Sequence, residues 1–333
     1  MNAETFTEAA GSSRLSLRVA DVRREAEDIV AIELVDPNGG ALPTFEAGAH
    51  VDVFTPGGAV RQYSLFNDPA DSSRYRIAVL WDRNGRGGSR SMHEAVRPGG
   101  ILQVSRPRNQ FRLAADAARH VLVAGGIGIT PLLSMAEVLL RQGTDFALHY
   151  CTRSIERTAF LARIGEKDLR DHVHLHLDDG APDQRLDFSA LFEGESNEGA
   201  HLYYCGPSGF MAAVEAAAAA ATWPAGRLHC EYFAVAPSAR PADTAKGFVV
   251  TLAKSGIDVP VGPSETVVQA LQGRGIFIST ACEQGFCGTC ITGVRAGLPD
   301  HRDTVLSDAE KARNDCFTPC CSRSLTDILV IDL

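Results

Sequence analysis

The sequence predicts a multi-domain protein with an antiparallel β-barrel, an α/β module built on a parallel sheet, and a small C-terminal module that binds a metal centre. Three observations predict this order. Short strand-like runs fill the first third of the chain, strands then alternate with helices, and three cysteines crowd into residues 281–290. The length of 333 residues is enough for two or three domains.

The β-barrel is expected over residues 14–111, after a leader at residues 1–13 that we expect to be disordered. Its strand-like runs, bounded by Gly, Pro, Asn and Asp, are LSLRVADVRREAEDIVAIELVD (15–36), HVDVFT (50–55), RYRIAVLW (74–81) and ILQVSRP (101–107). Short strands spaced in this way are typical of a closed antiparallel barrel.

The α/β module is expected over residues 112–233, where the pattern changes. Strands and helices alternate in HVLVAGG (120–126), TPLLSMAEVLLRQG (130–143), DFALHYC (145–151), HVHLHL (172–177), HLYYCGP (201–207) and SGFMAAVEAAAAAA (208–221). This alternation predicts βαβ units and a parallel sheet. Residues 234–245 are rich in Ala and Pro without periodicity, and we interpret them as a linker.

The last module is expected over residues 246–333. Its first part, residues 247–275, has the pattern of a hairpin followed by a helix, and DILVIDL (327–333) is the pattern of a final strand. The cysteine-rich loop lies between these two parts.

Composition excludes several classes of protein. A net charge of −9 with a pI near 5.6 argues against nucleic acid or an anionic membrane as the main partner. The chain has no run of 18 apolar residues, and MNAETFTEAAGSS lacks the basic and apolar regions of a secretory signal. We therefore expect a cytoplasmic protein, in which nine cysteines are metal ligands or buried thiols rather than disulfides.

The loop ACEQGFCGTC (281–290) has the pattern of an iron–sulfur site. Cys282, Cys287 and Cys290 follow the C-x4-C-x2-C spacing of plant-type 2Fe–2S centres, which need a distant fourth cysteine. Glycines within the loop allow the tight turns that bring three thiolates onto one small cluster. Zinc is the competing metal, but zinc ribbons use two close cysteine pairs, and the loop provides one.

With this loop, the chain resembles a known family. Residues 246–333 are similar to a plant-type ferredoxin domain of the β-grasp kind. From residue 14 onward, the whole chain resembles the phthalate dioxygenase reductase family. That family consists of flavin- and iron–sulfur-containing reductases that supply electrons to Rieske non-haem iron oxygenases, including vanillate demethylases. The resemblance implies the same fold, cofactors and electron transfer in this chain.

The fourth cluster ligand has three candidates in NDCFTPCCSRS (314–324). The resemblance implies Cys320, because 29 residues separate it from Cys290 and residues 320–323 match the family's Cys-x-Ser-Arg signature. Adjacent side chains of an extended segment point to opposite faces, so we expect Cys321 to be a small buried apolar residue. We expect Cys316 to lie in a loop without a role in the site.

The resemblance places a flavin at RQYS (61–64) and NGRGGSRSMH (84–93). Arg61 offers a forked cation for a phosphate, Tyr63 a ring to lie against the isoalloxazine, and Ser64 a hydrogen bond near flavin N5. Glycines before serines at a helix start form a cradle for an anion. The expected flavin-binding residues are Arg61, Gln62, Tyr63, Ser64, Val79, Leu80, Gly87, Gly88 and Ser89. We expect FMN rather than FAD, because the FMN-using branch of the family is the more similar one.

The resemblance places the nicotinamide nucleotide at VLVAGGIGITP (121–131) and YCGPSGFM (204–211), which match the family's G-G-x-G-x-T-P and C-G-P-x-x-x-M motifs. We expect Thr130 to cap the helix that follows the glycines. We expect Cys205 to lie at the carboxyl edge of the sheet, beside the nicotinamide, and to shape the pocket rather than act as a nucleophile. The expected nucleotide-binding residues are Gly125, Gly126, Gly128, Thr130, Thr152, Arg153, Cys205, Gly206 and Pro207.

Two further expectations concern the reacting centre. Phe233 aligns with the aromatic residue that covers the flavin in the family, so Ser64, Thr130, Cys205 and Phe233 are expected to surround the reacting atoms. Arg153 is the single arginine near the expected adenosine ribose, which favours NADH over NADPH. Three histidines of HVHLHL (172–177) have no evident carboxylate or cysteine partner, and we interpret them as surface residues.

The order of the modules indicates a path for electrons. A nicotinamide delivers two electrons as a hydride, a 2Fe–2S cluster accepts one, and a flavin converts between them. The acceptor expected from the resemblance is the Rieske cluster of a separate terminal oxygenase, met transiently through EQGF (283–286) and its neighbours.

Other functions compete with this interpretation. The chain has features of an iron–sulfur carrier for another oxidoreductase or monooxygenase, but its nucleotide motifs favour a reductase. The electron-transfer subunit of dihydroorotate dehydrogenase has closely spaced cysteines throughout, unlike this chain. Reductases of soluble di-iron monooxygenases usually carry the ferredoxin at the N-terminus.

Overall fold

A computed structural model describes residues 14–85, 87–194, 199–233, 246–278, 280, 285 and 288–333. The chain divides into two compact units, Met1–Glu231 and Tyr232–Leu333. No helix in the described ranges is long and apolar enough to cross a membrane. The strands are β1 Leu15–Ala26, β2 Ile29–Val35, β3 His50–Phe54, β4 Val60–Ser64, β5 Arg74–Leu80, β6 Ile101–Val104, β7 Arg119–Gly125, β8 Phe146–Thr152, β9 Val173–Leu177, β10 Ala200–Gly206, β11 Leu228–Tyr232, β12 Phe248–Leu252, β13 Asp258–Val261, β14 Thr292–Ala296, β15 Pro299–Asp300, β16 Cys316–Phe317, β17 Arg323–Ser324 and β18 Ile328–Ile331. The helices are α1 Gly88–Ala95, α2 Ile129–Gln142, α3 Leu161–Ile164, α4 Phe188–Gly194, α5 Ser208–Ala220, α6 Val267–Gln272 and α7 Asp308–Arg313.

The first six strands form an antiparallel sheet in the order β4-β3-β6-β1-β2-β5. A bridge between Leu65 and Ile77 joins its two outer strands, so the sheet closes on itself. Alternate residues of these strands face inward, and Leu17, Ile32 and Val51 belong to one buried apolar core. The predicted antiparallel barrel is confirmed.

The parallel sheet has the order β11-β10-β7-β8-β9. Its central strand, β7, is buried along almost its whole length, as expected for a strand covered on both faces. Helix α2 follows β7 and ends at Gly143, which takes the left-handed conformation that an L side chain rarely adopts. The carboxyl ends of β7 and β10 lie together, because Ala124 pairs with Cys205.

The barrel and the parallel sheet lie in the same compact unit and contact each other directly. The Ser134 hydroxyl donates a hydrogen bond to the Asn67 carbonyl over 2.9 Å, and the rings of Phe66 and Phe160 lie 4.6 Å apart. These contacts join the turn after β4 to helices of the α/β module. The ends of β4 and β7 therefore have a fixed relation to each other.

The second unit contains a mixed sheet in the order β13-β12-β18-β14-β16 and a small two-stranded sheet of β15 and β17. Strands β12 and β13 form the predicted hairpin, and β18 pairs parallel to β12. Helix α6 begins at a capping box of Thr266 and Gln269, and its apolar face packs on the sheet. This mixed sheet covered by one helix is the predicted β-grasp arrangement.

Candidate functional site

An anion cradle lies where β4 meets the start of α1. Arg61 is on β4, and a Cβ added to Gly88 would lie 2.9 Å from its Nε atom, so the guanidinium packs directly on the glycine backbone. Gly87 caps α1 with a φ of 88°, which suits glycine. A cation beside the free amides of a helix start is a site for a phosphate. The two predicted flavin elements thus meet at one place, as the fit of a flavin phosphate requires.

The side chains of β4 alternate between two environments. Tyr63 is half-buried against the barrel core, and burial raises the pKa of its hydroxyl, which stays a neutral phenol. Gln62, on the other face, donates to Asp52 Oδ1 over 3.1 Å and lies 3.2 Å from His50 Nε2. The amide of Gln62 is thus engaged by protein groups.

Ser64 has a carboxylate partner that the sequence reasoning missed. Its hydroxyl donates to Glu231 Oε2 over 3.0 Å, and His50 Nδ1 lies 3.6 Å from Glu231 Oε1. Glu231 is 167 residues further along the chain, on β11, so no local motif indicates the contact. The serine hydroxyl at the end of β4 is therefore held in one orientation.

Two neighbouring side chains of β5, the strand expected beside the flavin, differ in burial. The Val79 side chain is fully buried in the barrel core, whereas that of Leu80 is exposed. His93 of α1 lies 2.9 Å from the Val79 carbonyl oxygen and ties the strand to the helix. The Ser89 hydroxyl accepts a hydrogen bond from the Asp82 amide and fixes the loop between β5 and α1.

The glycine turn between β7 and α2 packs on the end of β10. A Cβ added to Gly128 would overlap the Cys205 carbonyl oxygen, and one added to Gly125 would lie 2.8 Å from the ring of Phe210. Gly206 also meets Phe210 closely. Only glycine fits these positions, and Phe210 is a packing residue that the sequence reasoning did not identify.

The prediction that Thr130 caps α2 is wrong. The helix begins at Ile129 with Gly128 as its N-cap, and no side chain caps it. Thr130 is buried within the first turn, and its hydroxyl donates back to the Ile127 carbonyl over 3.1 Å. The reason is that residues 126–128 already form a 3₁₀ turn, so the helix starts earlier than the Thr-Pro pattern indicates. Pro131 lies in the first turn, as predicted.

Cys205 and Gly206 end β10 at the carboxyl edge of the sheet, with Pro207 before α5. The Cys205 thiol is completely buried, and this burial raises its pKa well above the ordinary value. A buried neutral thiol shapes a pocket and is a poor nucleophile, in keeping with the role expected for it.

Thr152 ends β8 at the same edge, and Arg153 follows it. Thr152 is buried, with its hydroxyl 2.7 Å from that of Thr158, and Arg153 is exposed. The amides of Asp178 and Asp179 donate to the carbonyls of Thr152 and Arg153 over 2.9 and 3.1 Å. The backbone of two acidic residues, which the sequence reasoning missed, therefore pairs with the segment that carries Arg153.

Two of the expected cluster ligands lie together in the second unit. Cys290 and Cys320 are buried in one apolar group with Val268. Cys282 and Cys287 lie outside the described residues. Gly285 and Gly288 have φ values of 83° and 71°, which the tight turns of a cluster loop require. Buried sulfurs shielded by apolar atoms fit a 2Fe–2S cluster.

The other two cysteine expectations need correction. Residues 318–321 form a turn, because the amides of Cys321 and Ser322 both donate to the Thr318 carbonyl. The segment is therefore not extended, and Cys321 is half-buried with its sulfur 3.3 Å from the Thr318 hydroxyl oxygen, not an apolar residue. Cys316 lies in β16 rather than in a loop.

The remaining candidates have separate outcomes. Phe233 follows β11 and belongs to the second compact unit. That Phe233 covers the flavin therefore stays a prediction.

The predicted surface histidines differ in their surroundings. His172 precedes β9, whereas His176 is half-buried with its Nε2 3.1 Å from Nδ1 of His149. Not all three histidines are therefore free surface residues. Among the residues described, no group of three or more His, Cys, Asp or Glu is arranged to hold a metal ion.

Comparisons with known families match two of the modules. The family described as oxidoreductase NAD-binding domain matches residues 122–216. The family described as 2Fe-2S iron-sulfur cluster binding domain matches residues 250–325. These ranges contain the glycine turn at β7 and the cysteine loop.

Several whole proteins are also similar. A vanillate O-demethylase oxidoreductase of Pseudomonas sp. is 50% identical over 315 residues, which are 95% of this chain and 98% of the relative. A phthalate dioxygenase reductase of Burkholderia cepacia is 40% identical over 320 residues, 96% of this chain and 97% of the relative.

Two solved structures share the architecture. The structure of phthalate dioxygenase reductase, which carries electrons from pyridine nucleotides to [2Fe-2S], has a TM-score of 0.74 at 40% identity and covers 96% of this chain and 98% of that one. A type IV self-sufficient cytochrome P450 monooxygenase has a TM-score of 0.82 at 40% identity over 96% of this chain, which spans 41% of the length of that protein. The chain therefore belongs to the phthalate dioxygenase reductase family and is an oxidoreductase that uses NADH, FMN and a 2Fe–2S cluster.

Proposed function

We propose that this chain is the reductase component of an oxygenase system and that it delivers single electrons to the Rieske cluster of a separate terminal oxygenase. The observation that carries the proposal is the combination in one chain of the Arg61–Gly88 cradle, the Gly128–Cys205 turn and the buried pair Cys290 and Cys320. Each of these fits one cofactor of the path. Relatives named as reductase subunits of oxygenases support the proposal, among them that of phthalate 4,5-dioxygenase in Pseudomonas putida.

The residues of the first unit bind and orient, while the cofactors supply the redox chemistry. Arg61 and the amides at the start of α1 hold the flavin phosphate. Tyr63 gives the ring system a flat neutral wall, and Ser64, held by Glu231, offers a fixed hydroxyl. These roles need no acid–base dyad.

The carboxyl edge of the parallel sheet binds the nucleotide. Gly125 and Gly128 pack where a side chain would collide with Phe210 or Cys205. The bare backbone of this turn lets the pyrophosphate approach. Thr152 and Arg153 are assigned to the adenosine ribose. Asp178 and Asp179, which follow β9, bond to the backbone of these two residues, and negative charges in this segment disfavour an added 2′-phosphate, which supports a preference for NADH.

The four cysteines Cys282, Cys287, Cys290 and Cys320 are assigned to the cluster. Exposed apolar side chains stand on either side of the cysteine loop in the sequence: Phe277 is 78% exposed and Ile291 is 42% exposed. Large exposed apolar residues beside a redox centre are suited to a transient docking contact. We assign them to the surface that meets the oxygenase, together with residues 283–286, of which only Gly285 lies within the described part of the chain.

A second candidate acceptor has support from one comparison. The P450 that matches 96% of this chain carries a similar reductase portion within a longer protein. The haem of a monooxygenase is therefore the alternative acceptor to a Rieske cluster.

Reconstitution distinguishes the two acceptors. Purified protein is mixed with NADH and, separately, with a purified Rieske O-demethylase oxygenase acting on vanillate and with a purified P450. We expect substrate turnover with the Rieske oxygenase at a rate well above that with the P450. Turnover supported only by the P450 would overturn the proposed partner, and the NADH-dependent reduction of ferricyanide serves as the control for an intact reductase.

A further inference from the structure

A buried carboxylate lies between β15 and α7, in a part of the chain to which the sequence reasoning gave no role. The side chain of Asp303 has no exposure to solvent. Its Oδ2 atom accepts a hydrogen bond from the Leu306 amide over 2.9 Å. Its Oδ1 atom accepts from the hydroxyls of Thr318 and Ser322 over 3.3 and 3.4 Å. Burying a charged carboxylate costs free energy, and the donors around Asp303 offset that cost. Such an arrangement needs a functional or structural explanation.

The segment that begins at Asp303 holds the cysteine loop. The amides of Thr304 and Val305 both donate to the Gly285 carbonyl, over 3.0 and 3.2 Å. A Cβ added to Gly285 would lie 3.0 Å from Asp303 Cα and would overlap the Cys321 sulfur. Gly285 lies between two of the expected ligands in sequence, and this contact fixes its backbone.

The Asp303 carboxylate also holds the segment of the fourth ligand. Thr318 and Ser322 stand on either side of Cys320, and their hydroxyl oxygens are 2.8 Å apart. Both hydroxyls reach the same carboxylate oxygen. One carboxylate therefore ties down both ends of the turn that carries Cys320.

We propose that Asp303 is a positioning residue of the iron–sulfur site: it joins the two segments that supply the cysteine ligands, and its negative charge lowers the reduction potential of the cluster. The inference rests on the cluster assignment made above but not on the identity of the oxygenase. An electron added to a cluster near a buried carboxylate is repelled, because charges interact strongly where water is excluded.

The ammonium group of Lys311 and the ring of His301 face this carboxylate. Lys311 Nζ lies 4.0 Å from Oδ2 and donates to the Asp303 backbone carbonyl over 2.7 Å. His301 Nδ1 lies 3.6 Å from Oδ1. Neither makes a side-chain hydrogen bond to the carboxylate in the described part of the chain, so the hydroxyls and the Leu306 amide remain its direct partners.

Three variants of the full-length holoprotein test the proposal, with iron content, EPR of the reduced protein and the cluster midpoint potential as readouts. Asp303→Asn keeps the shape of the side chain and removes its charge, so we expect a wild-type iron content and a more positive potential. Asp303→Ala removes the link between the segments, so we expect a several-fold loss of iron. Asp308→Asn removes an exposed carboxylate of α7 and serves as the matched control, with no change in either readout.

Ser322→Ala provides a test that does not depend on folding of the Asp303 variants. It removes one donor from Oδ1 and leaves the charge less compensated, so we expect a more negative potential, opposite in sign to Asp303→Asn. A potential that is unchanged in both Asp303→Asn and Ser322→Ala would overturn the proposal. The iron content of the wild-type protein tests the cluster assignment separately. A full iron content supports that assignment whatever the potentials of the variants are.

Discussion

Arg61 is the residue on which flavin binding is expected to depend most. Its guanidinium lies against Gly88 at the start of α1, where a phosphate is stabilised by a charged donor and helix amides. A hydrogen bond to a charged group contributes about 1.5–3 kcal/mol, so Arg61→Ala should weaken flavin binding by roughly tenfold or more. Fluorescence titration of the apoprotein with FMN measures this.

Arg90→Ala is the matched control for that change, because Arg90 is an exposed arginine of α1 that is paired with Glu94. It should leave FMN binding as in the wild type. An equal effect of both variants, or full flavin occupancy in Arg61→Ala, would place the phosphate elsewhere.

A substitution at Gly128 tests the nucleotide site in the same way, at a single residue. A Cβ there would overlap the Cys205 carbonyl oxygen, so Gly128→Ala must displace the turn from β10. We expect kcat/KM for NADH with ferricyanide as acceptor to fall by at least about tenfold, the equivalent of about 1.4 kcal/mol, while FMN remains bound.

Gly209→Ala controls for the loss of a glycine near this turn, since a Cβ added to that residue of α5 meets no atom within 4 Å. Its steady-state kinetics should match the wild type. If Gly128→Ala does the same, the glycine turn is not the place where the nucleotide approaches.

At the scale of elements, we expect histidine pairs on the parallel sheet to make its stability depend on pH. The Nδ1 atom of His149 lies 3.1 Å from Nε2 of His176, so one ring must be neutral to accept. Burial, reinforced by His174 and His176, lowers the pKa of His149 to about 3, whereas the unfolded chain has a value of about 6.5. Burial also lowers the pKa of His120 to about 4.

The sign of this effect follows from proton binding. Below about pH 6.5 the unfolded chain binds protons that the folded sheet does not, so stability present above that pH is lost as the pH falls toward about 3. His149→Phe keeps a ring for stacking and removes the titration. Its free energy of unfolding, measured by urea denaturation, should fall less than that of the wild type between pH 7 and about 4.5. The difference should be on the order of 1–3 kcal/mol.

His172→Phe is the control, because His172 stacks on Phe146 outside the His149 cluster. Its pH dependence should follow the wild type. Parallel curves for wild type and His149→Phe would show that His149 does not contribute to acid lability.

The elements themselves were largely predictable, because periodicity is local. The barrel strands, the βαβ alternation and the hairpin followed by α6 are all confirmed. The start of α2 was not, since a 3₁₀ turn at residues 126–128 replaced the expected cap by Thr130. The turn at residues 318–321 was misjudged for a similar reason: its conformation depends on hydrogen bonds to the Thr318 carbonyl, which no pattern of apolar residues indicates.

The partners of site residues were the least predictable part. Glu231 reaches Ser64 across 167 positions, and Asp303 reaches Ser322 across 19. Such contacts arise from the packing of whole elements, which sequence spacing does not encode. Motif residues such as Arg61 and Gly128 were found because they belong to short family motifs that can be recognised in the local sequence.

At the scale of the whole molecule, electron delivery requires a docking surface at the cluster. Phe277 is 78% exposed next to the cysteine loop, so Phe277→Ser should lower kcat/KM for the oxygenase partner several-fold by removing apolar contact area. Ferricyanide reduction should stay as in the wild type, because a small acceptor needs no docking surface. Ile257→Ser, at an exposed apolar residue between β12 and β13, is the control. Equal oxygenase kinetics in the wild type and Phe277→Ser would remove Phe277 from the docking surface.

The central claim is that one chain carries electrons from NADH through its flavin to a cluster held by Cys320. Anaerobic titration with NADH, followed by visible absorbance and low-temperature EPR, tests it most directly. For the wild type we predict bleaching of the flavin together with a 2Fe–2S EPR signal, and for Cys320→Ala bleaching without that signal. Cys321→Ala should retain the signal. A wild-type protein whose flavin bleaches without any cluster signal, or a cluster kept in Cys320→Ala and lost in Cys321→Ala, would contradict the account.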